Sequence, residues 1–502
     1  MDNNRIKPRG YALIPFLVFV LVYLLSGILL QLDGVEMAFY QMPAPVASFV
    51  GIIVAFIMFK GTIEEKFDTF VAGCGDANII IMCLIYILAG AFSAVATASG
   101  GRDAVVNAGL SVIPPNLIAA GIFIIAAFMA TSTGTSVGTI SALGTIALGL
   151  GDGAGLNPAL VLGALVGGSM FGDNLSIISD TTIAATRTQN VEMKDKFRMN
   201  FKLALPAAIL TVILLVIFGR PDVTPVIETG PIEIVKILPY LFVLIAALVG
   251  VNVFLVLTGG IVFSGILLLF QNGFNVIGLA TEIYAGFTGM FEIFLLSLLT
   301  GGLSYMVTKE GGLEWVVQKI RKSIKGEKSA ELGISALVGT LDAAVANNTV
   351  AIIISGPVAK ELSTAYRVDP RRSASLLDTF SCVMQGFIPY GAQLLIAAGF
   401  AGGAVSPIQV MPFLWYQFIL VIVAIISIFV PFTKAKDPWN YEYDVPEAKV
   451  EEAKANLTRA SHEDVVSEHI IEEKLNNKPL PKEKPILEDT VVDDEGKNIN
   501  ID

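Results

Sequence analysis

The 502 residues are 54% hydrophobic and 15% charged, with a formal net charge of −11. A soluble domain carries about a quarter charged residues, so the composition excludes a soluble globular protein and a nucleic-acid binder and leaves an all-α, polytopic membrane protein. Both histidines, His462 and His469, lie near the C-terminus, and Cys74, Cys83 and Cys382 lack metal-ligand spacing; proton chemistry inside the membrane therefore falls to carboxylates or lysine.

Apolar runs predict about ten transmembrane helices, at roughly 11–32, 44–60, 77–98, 159–180, 201–219, 236–251, 253–271, 290–308, 374–398 and 411–432, most of them near the ~20 residues a bilayer requires. The first run is too long for the apolar core of a signal peptide and reads as a span. Two segments are interrupted, 117–150 by TSTGTSVGT at 131–139 and 333–362 by AVANNTV at 344–350. Their arms, roughly 13–15 residues each, are short for a span. They read as re-entrant helical hairpins whose polar tips stop at mid-membrane, where non-helical backbone survives only against protein or a wet cavity.

Lysine and arginine fix the sidedness. Arg5, Lys7 and Arg9, then Lys60 and Lys66, then Arg187, Lys194, Lys196, Arg198 and Lys202 read as cytoplasmic. So do the basic loops 309–332 and 360–373, with Lys434 and Lys436. Loops 33–43, 99–116, 149–158, 272–289 and 399–410 are nearly free of basic residues and read as external. The alternation closes only if both interrupted segments are hairpins, the first entering from outside and the second from inside. Both termini are then cytoplasmic, in a multi-pass protein of the cell (plasma, or inner) membrane.

The chain also repeats itself. LAGAFSAVATASGG at 88–101 recurs as LTGGLSYMVTKEGG at 299–312, and Gly144, Pro158 and Ser169 recur as Gly356, Pro370 and Ser381, 212 residues on. Five spans and one hairpin per repeat give an odd number of crossings, so the repeats, 1–219 and 233–432, have inverted topology, with the site expected where they meet. The remainder, 433–502, is a polar acidic cytoplasmic extension of disordered type.

Ionisable groups at membrane depth are costly and functional by default. The densest group is GDNLSIISDTT, 172–182. Asp173 and Asp180 share a face if the helix continues, but Asn174, Ser176, Ser179, Thr181 and Thr182 compete for backbone hydrogen bonds and favour an unwound stretch. Freed carbonyls, hydroxyls and carboxylates suit a small hard cation. The tips, Thr131–Ser136 (with Thr133, Gly134, Thr135 and Ser136 foremost) and Asn347, Asn348 and Thr349, turn helix ends and hydroxyls toward the same place. Gln385 is the second-half counterpart of Asp173, in a stretch broken by Gly386, Pro389 and Gly391. Asp342 and Asp378 are candidate proton or ion ligands. GLGDGAG at 149–155 has neither the strand nor the lysine of a phosphate loop, and no nucleophile–base pair lies in the membrane part, so an enzyme is not expected and no cofactor is implied.

GDNLSIISDTT with the following IAATRT resembles the signature of the NhaC-type Na+/H+ antiporter family of the ion transporter superfamily, over roughly residues 11–432. Ile177 departs from the proline usual in that pattern. The resemblance implies a transporter coupled to Na+, with Asp173, Asn174, Ser176, Asp180 and Thr181 as ion-site residues and Na+ at Asp173 and Asp180. It also implies paired hairpins in a transport domain that moves, elevator-fashion, past a dimeric scaffold. Na+ and H+ would compete for Asp173, assisted by Asp180 or Asp342, because burial next to another carboxylate favours the protonated form of either. Since members of the wider family carry amino or organic acids, Na+-coupled transport of such a solute is the alternative. The repeat and the hairpins disfavour a channel or sensor.

Overall fold

A computed structural model describes residues 7–430, apart from 34, 36–40, 178, 222–232, 250 and 272–274, and also 432–433 and 453–454. Almost all of the acidic extension at 433–502 lies outside the described residues. Every regular element described is helical. The first ten α-helices are α1 (Ile14–Leu32), α2 (Ala44–Met58), α3 (Ile63–Cys74), α4 (Ala77–Ala98), α5 (Gly101–Val112), α6 (Ile118–Thr133), α7 (Ser136–Gly153), α8 (Pro158–Leu175), α9 (Asp180–Gln189) and α10 (Met193–Phe218). They are followed by α11 (Ile234–Leu248), α12 (Val253–Leu269), α13 (Val276–Gly289), α14 (Phe291–Lys309), α15 (Gly312–Ser323), α16 (Glu327–Val345), α17 (Asn348–Ala365), α18 (Pro370–Phe387), α19 (Ala392–Phe400), α20 (Pro407–Val410) and α21 (Trp415–Phe429).

The same local devices punctuate both halves. A left-handed glycine precedes α5 (Gly100, φ 74°) and α15 (Gly311, φ 95°). Left-handed Gly134 closes α6 and left-handed Ala346 closes α16. The side chains of Thr135 and Asn347 then cap α7 and α17 by accepting from Gly138 N and Val350 N. Asn157 and Asp369 cap α8 and α18, each with proline at the first helical position, where the missing N–H costs nothing. Contacts between elements follow the same correspondence: α4 lies on α13 and α3 on α14, while α6 lies along α8 and α16 along α18.

Among the described residues, seven helical stretches are long and apolar enough to cross a membrane, or eight if the pair Pro407–Phe413 and Trp415–Phe429, bent by 54°, is one span. This is fewer than ten. The runs expected at 44–60, 236–251 and 253–271 form α2, α11 and α12, of only 15, 15 and 17 residues, or about 22–26 Å at 1.5 Å per residue. Stretches between the predicted spans hold helices, α3, α5, α9, α13, α15 and α20. The hairpin arms are longer than the sequence suggests, at 16 and 18 residues in the first and 19 and 18 in the second, and Pro115–Thr133 is itself one of the seven. The polar stretch at 131–139 stays helical except at Gly134 and Thr135, because one left-handed residue and one capped extended residue suffice to turn the chain.

The far ends of each pair of arms come back to neighbouring structure. Arg102 of α5 is 3.2 Å from Asp152 at the end of α7, Arg321 of α15 is 3.0 Å from Glu361 of α17, and the Tyr366 hydroxyl donates to Ile324 O. The stretches containing the two acidic or amide motifs, Pro158–Gln189 and Pro370–Phe400, are the most enclosed of the seven, 88% and 78% buried in their apolar windows.

Candidate functional site

Each enclosed stretch breaks after Leu175 or Phe387 and restarts at Asp180 or Ala392, so Asp173 and Asp180 do not share one continuous helical face. The break forms with Ile177 in place of proline, its side chain exposed. Glycines let α6 approach α8 closely enough to bring the first tip to this break: a Cβ on Gly168 would lie 2.2 Å from Phe123 O, and one on Gly172 2.3 Å from Ala127 O.

Asp173 is buried, and its partners are neutral. One carboxylate oxygen accepts from Ser136 Oγ (2.7 Å) and Ser136 N (3.2 Å) at the start of α7, where the helix N-terminus favours negative charge. The other accepts from Ser179 Oγ (2.7 Å), which is itself 2.7 Å from Thr181 Oγ1. Asp180, exposed at the start of α9, accepts from Thr349 Oγ1 of the second tip (2.9 Å). Gln385 Nε2 donates to Gln393 Oε1 (2.9 Å) and to Ala346 O (3.3 Å), and Gln393 Nε2 donates to Ser136 Oγ (3.1 Å). An amide chain thus runs from the second tip to the first and ends on the Asp173 carboxylate.

These groups surround a cavity of about 140 Å³ lined by Thr135, Ser136, Asp173, Asp180, Asn347, Asn348, Thr349, Gln385 and Gln393, with Ile81, Met82 and Ile85 of α4 closing one side. Other residues singled out in the sequence sit elsewhere. Thr133 Oγ1 stays within the first tip, 3.5 Å from Thr135 O and from Thr139 Oγ1, and Gly134 supplies the turn. Asn174 faces away from the cavity and donates to Asp378 (3.1 Å). Ser176 is buried and its carbonyl accepts from Thr182 Oγ1. Asp342 is fully buried in α16, and neither of its carboxylate oxygens has a hydrogen-bond partner among the described residues.

Asp378, a candidate ion ligand in the sequence, is instead ion-paired with Lys196 of α10 at 2.7 Å, both side chains being inaccessible to solvent. Lys196 and Asn200 of α10, together with Gln393, are the polar groups that sequence reasoning passed over. The signal was present: Lys196, Met199, Asn200, Leu203, Ala204 and Ala207 form the buried stripe of α10 at the spacing of a core-facing helix.

The Na+/H+ antiporter family model matches residues 11–220 and 225–432. The chain is 23% identical over 439 residues to the malate-2H+/Na+-lactate antiporter of Bacillus subtilis, covering 81% of this chain and 93% of the relative. It is 24% identical over 378 residues to the Na+/H+ antiporter NhaC of Alkalihalophilus pseudofirmus (67% and 79% covered). To the arginine/ornithine antiporter ArcD of Halobacterium salinarum it is 24% identical over 490 residues (90% and 96% covered).

Proposed function

Because this chain belongs to the Na+/H+ antiporter family, we propose that it exchanges Na+ for H+ across the cell membrane, with the two cations alternating at Asp173. The observation that carries this reading is the contrast between two buried carboxylates. Asp378 has its own ammonium, whereas Asp173 opens on a cavity with Ser136 and Ser179 as its side-chain partners among the described residues. An uncompensated charge at that depth is strongly unfavourable, so Asp173 is neutralised by what enters, either a proton or Na+. Oxygens of Ser136, Ser179, Asp180 and Thr349 stand ready to complete the shell of a hard cation. A cavity of about 140 Å³ holds Na+ with a few waters, at ~30 Å³ per water. Binding one cation displaces the other, which is antiport.

The recurrence of caps, breaks and contacts supports two repeats of opposite orientation, and the pairs Arg102–Asp152 and Arg321–Glu361 support hairpins that return to the side from which they entered. In this reading α6–α10 and α16–α21 carry the site past a scaffold of α1–α4 and α11–α14, in a homodimer with both termini cytoplasmic. The ion pair of Arg9 with Glu310 joins two segments that the basic residues assign to the cytoplasm.

The amides of Asn347, Asn348, Gln385 and Gln393 on the cavity wall exceed what a bare cation needs and favour a second reading, Na+-coupled transport of a small amino or organic acid. Proteoliposomes separate the two. An imposed Na+ gradient should move protons with no organic solute present, and Asp173→Asn should abolish that flux while the protein stays folded. Flux that appears only when a carboxylic solute is supplied would replace the first reading with the second, and wild-type flux in Asp173→Asn would remove Asp173 from the mechanism.

A further inference from the structure

Asp173 and Asn174 are neighbours on α8 but face opposite ways, and a second polar centre lies behind the cavity on the Asn174 side. The Lys196 ammonium has three acceptors for its three protons: Thr182 Oγ1 at 2.6 Å, the Asn174 carbonyl at 2.7 Å and Asp378 Oδ2 at 2.7 Å. Asn200, one turn along α10, donates to the same Asp378 oxygen at 2.7 Å, and its own side-chain oxygen is buried without a hydrogen-bond partner among the described residues. The centre is thus a backbone carbonyl freed near the end of a broken helix, a hydroxyl and a carboxylate, gathered from α8, α9 and α18 around the α10 ammonium, with the Asn200 amide on the same carboxylate oxygen. That is the donor set by which hard monovalent cations are held at unwound membrane helices.

We propose that this is a Na+ site whose cation is built into the chain: the Lys196 ammonium occupies the place of a second, non-exchanging Na+. The tethered charge braces the break from both sides, since Asn174 precedes it and Thr182 follows it, and Thr182 in turn donates to Ser176 O inside it (2.7 Å). The break therefore holds its shape whichever cation Asp173 carries, and no ion leaves this centre during the cycle. Removing the side chain leaves a cavity lined by oxygens with an unbalanced carboxylate, which free Na+ fills.

The test is Na+ binding by purified full-length protein, measured with radioactive Na+ and by melting temperature in NaCl against choline chloride. Lys196→Ala should bind one Na+ per chain more than the wild type and should melt well below it in choline, recovering as Na+ rises. Lys196→Ala/Asp378→Asn, which removes both charges, should return to the wild-type count and lose the added Na+ dependence. The site stands apart from Asp173: Asp173→Asn/Lys196→Ala should still bind the additional Na+, so failure at Asp173 and failure here are read separately. Lys196→Ala that binds no more Na+ than wild type, or that fails to fold at every Na+ concentration, would show that Na+ cannot stand in for the ammonium and would overturn the proposal.

Discussion

Gly172→Ala tests whether helix contact sets the geometry of the Asp173 cavity. The new Cβ would meet Ala127 O at 2.3 Å, Ala130 Cβ at 2.5 Å and Thr131 N at 2.5 Å. Two of these are backbone atoms and cannot rotate aside, so α6 must retreat from α8 by about 1 Å to restore ordinary van der Waals separation. That retreat carries the first tip with it and stretches the 2.7 Å bond from Ser136 Oγ to Asp173 past hydrogen-bonding range. Overpacking costs roughly 1–3 kcal/mol, and a lost hydrogen bond to a charged group roughly 1.5–3 kcal/mol. Misplacing a reacting group by ~1 Å lowers rates on the order of 100-fold, and a comparable fall is expected in Na+-driven proton flux, with a lower melting temperature. Gly121→Ala, on the facing helix α6, is the internal control. A Cβ there meets nothing within 4 Å, and replacing a helical glycine gains up to about 1 kcal/mol, so flux should persist and the melting temperature should hold or rise. Equal flux and equal melting for Gly172→Ala and wild type would show that the close approach of α6 to α8 does not position the tip.

Two further outcomes follow from the second tip and its counterpart. Ala346 adopts a left-handed conformation (φ 50°) where the first half has Gly134 (φ 71°), and such a backbone costs a non-glycine residue roughly 1–2 kcal/mol. Ala346→Gly should therefore raise the melting temperature and Gly134→Ala lower it, and shifts of the same sign would contradict the assignment. Thr349→Ala removes the 2.9 Å bond to Asp180. At roughly 1.5–3 kcal/mol and 1.4 kcal/mol per decade, half-saturation by Na+ should move up about 10–100-fold while Thr349→Ser stays near wild type. An unchanged Na+ titration in Thr349→Ala would detach that contact from cation binding.

What the sequence revealed and what it hid follow from different physics. The breaks were legible because glycine, proline, serine and asparagine at 172–182 and 384–393 are poor helix formers wherever they stand. Helices α5 and α15 were read as loops because short, charged segments give no apolar run to detect, although Gly100 and Gly311 mark their starts. Lys196 was counted among loop cations because the apolar run begins near 201, whereas α10 begins at Met193 and carries its buried stripe back through the charged stretch. Asp378 reads as an unpaired carboxylate in the sequence, since its partner lies 182 positions away and only the packing of α10 on α18 joins them. The hairpin arms were underestimated because Thr131–Thr133 and Ser136–Thr139 look like loop residues, yet extend helices whose side chains bond back to carbonyls, as Thr131 does to Ala127 and Thr139 to Thr135.

The first break places carboxylates at Asp173 and Asp180, where the second, interrupted over the same number of residues, has Gln385 and Ala392. Both ionisable residues of the cavity lining, Asp173 and Asp180, therefore belong to the first half. In the exchange proposed above, a change of cation acts directly on that half alone, and the second half feels it only through neutral contacts, the Gln385–Gln393–Ser136 amide chain and the Thr349 hydroxyl on Asp180.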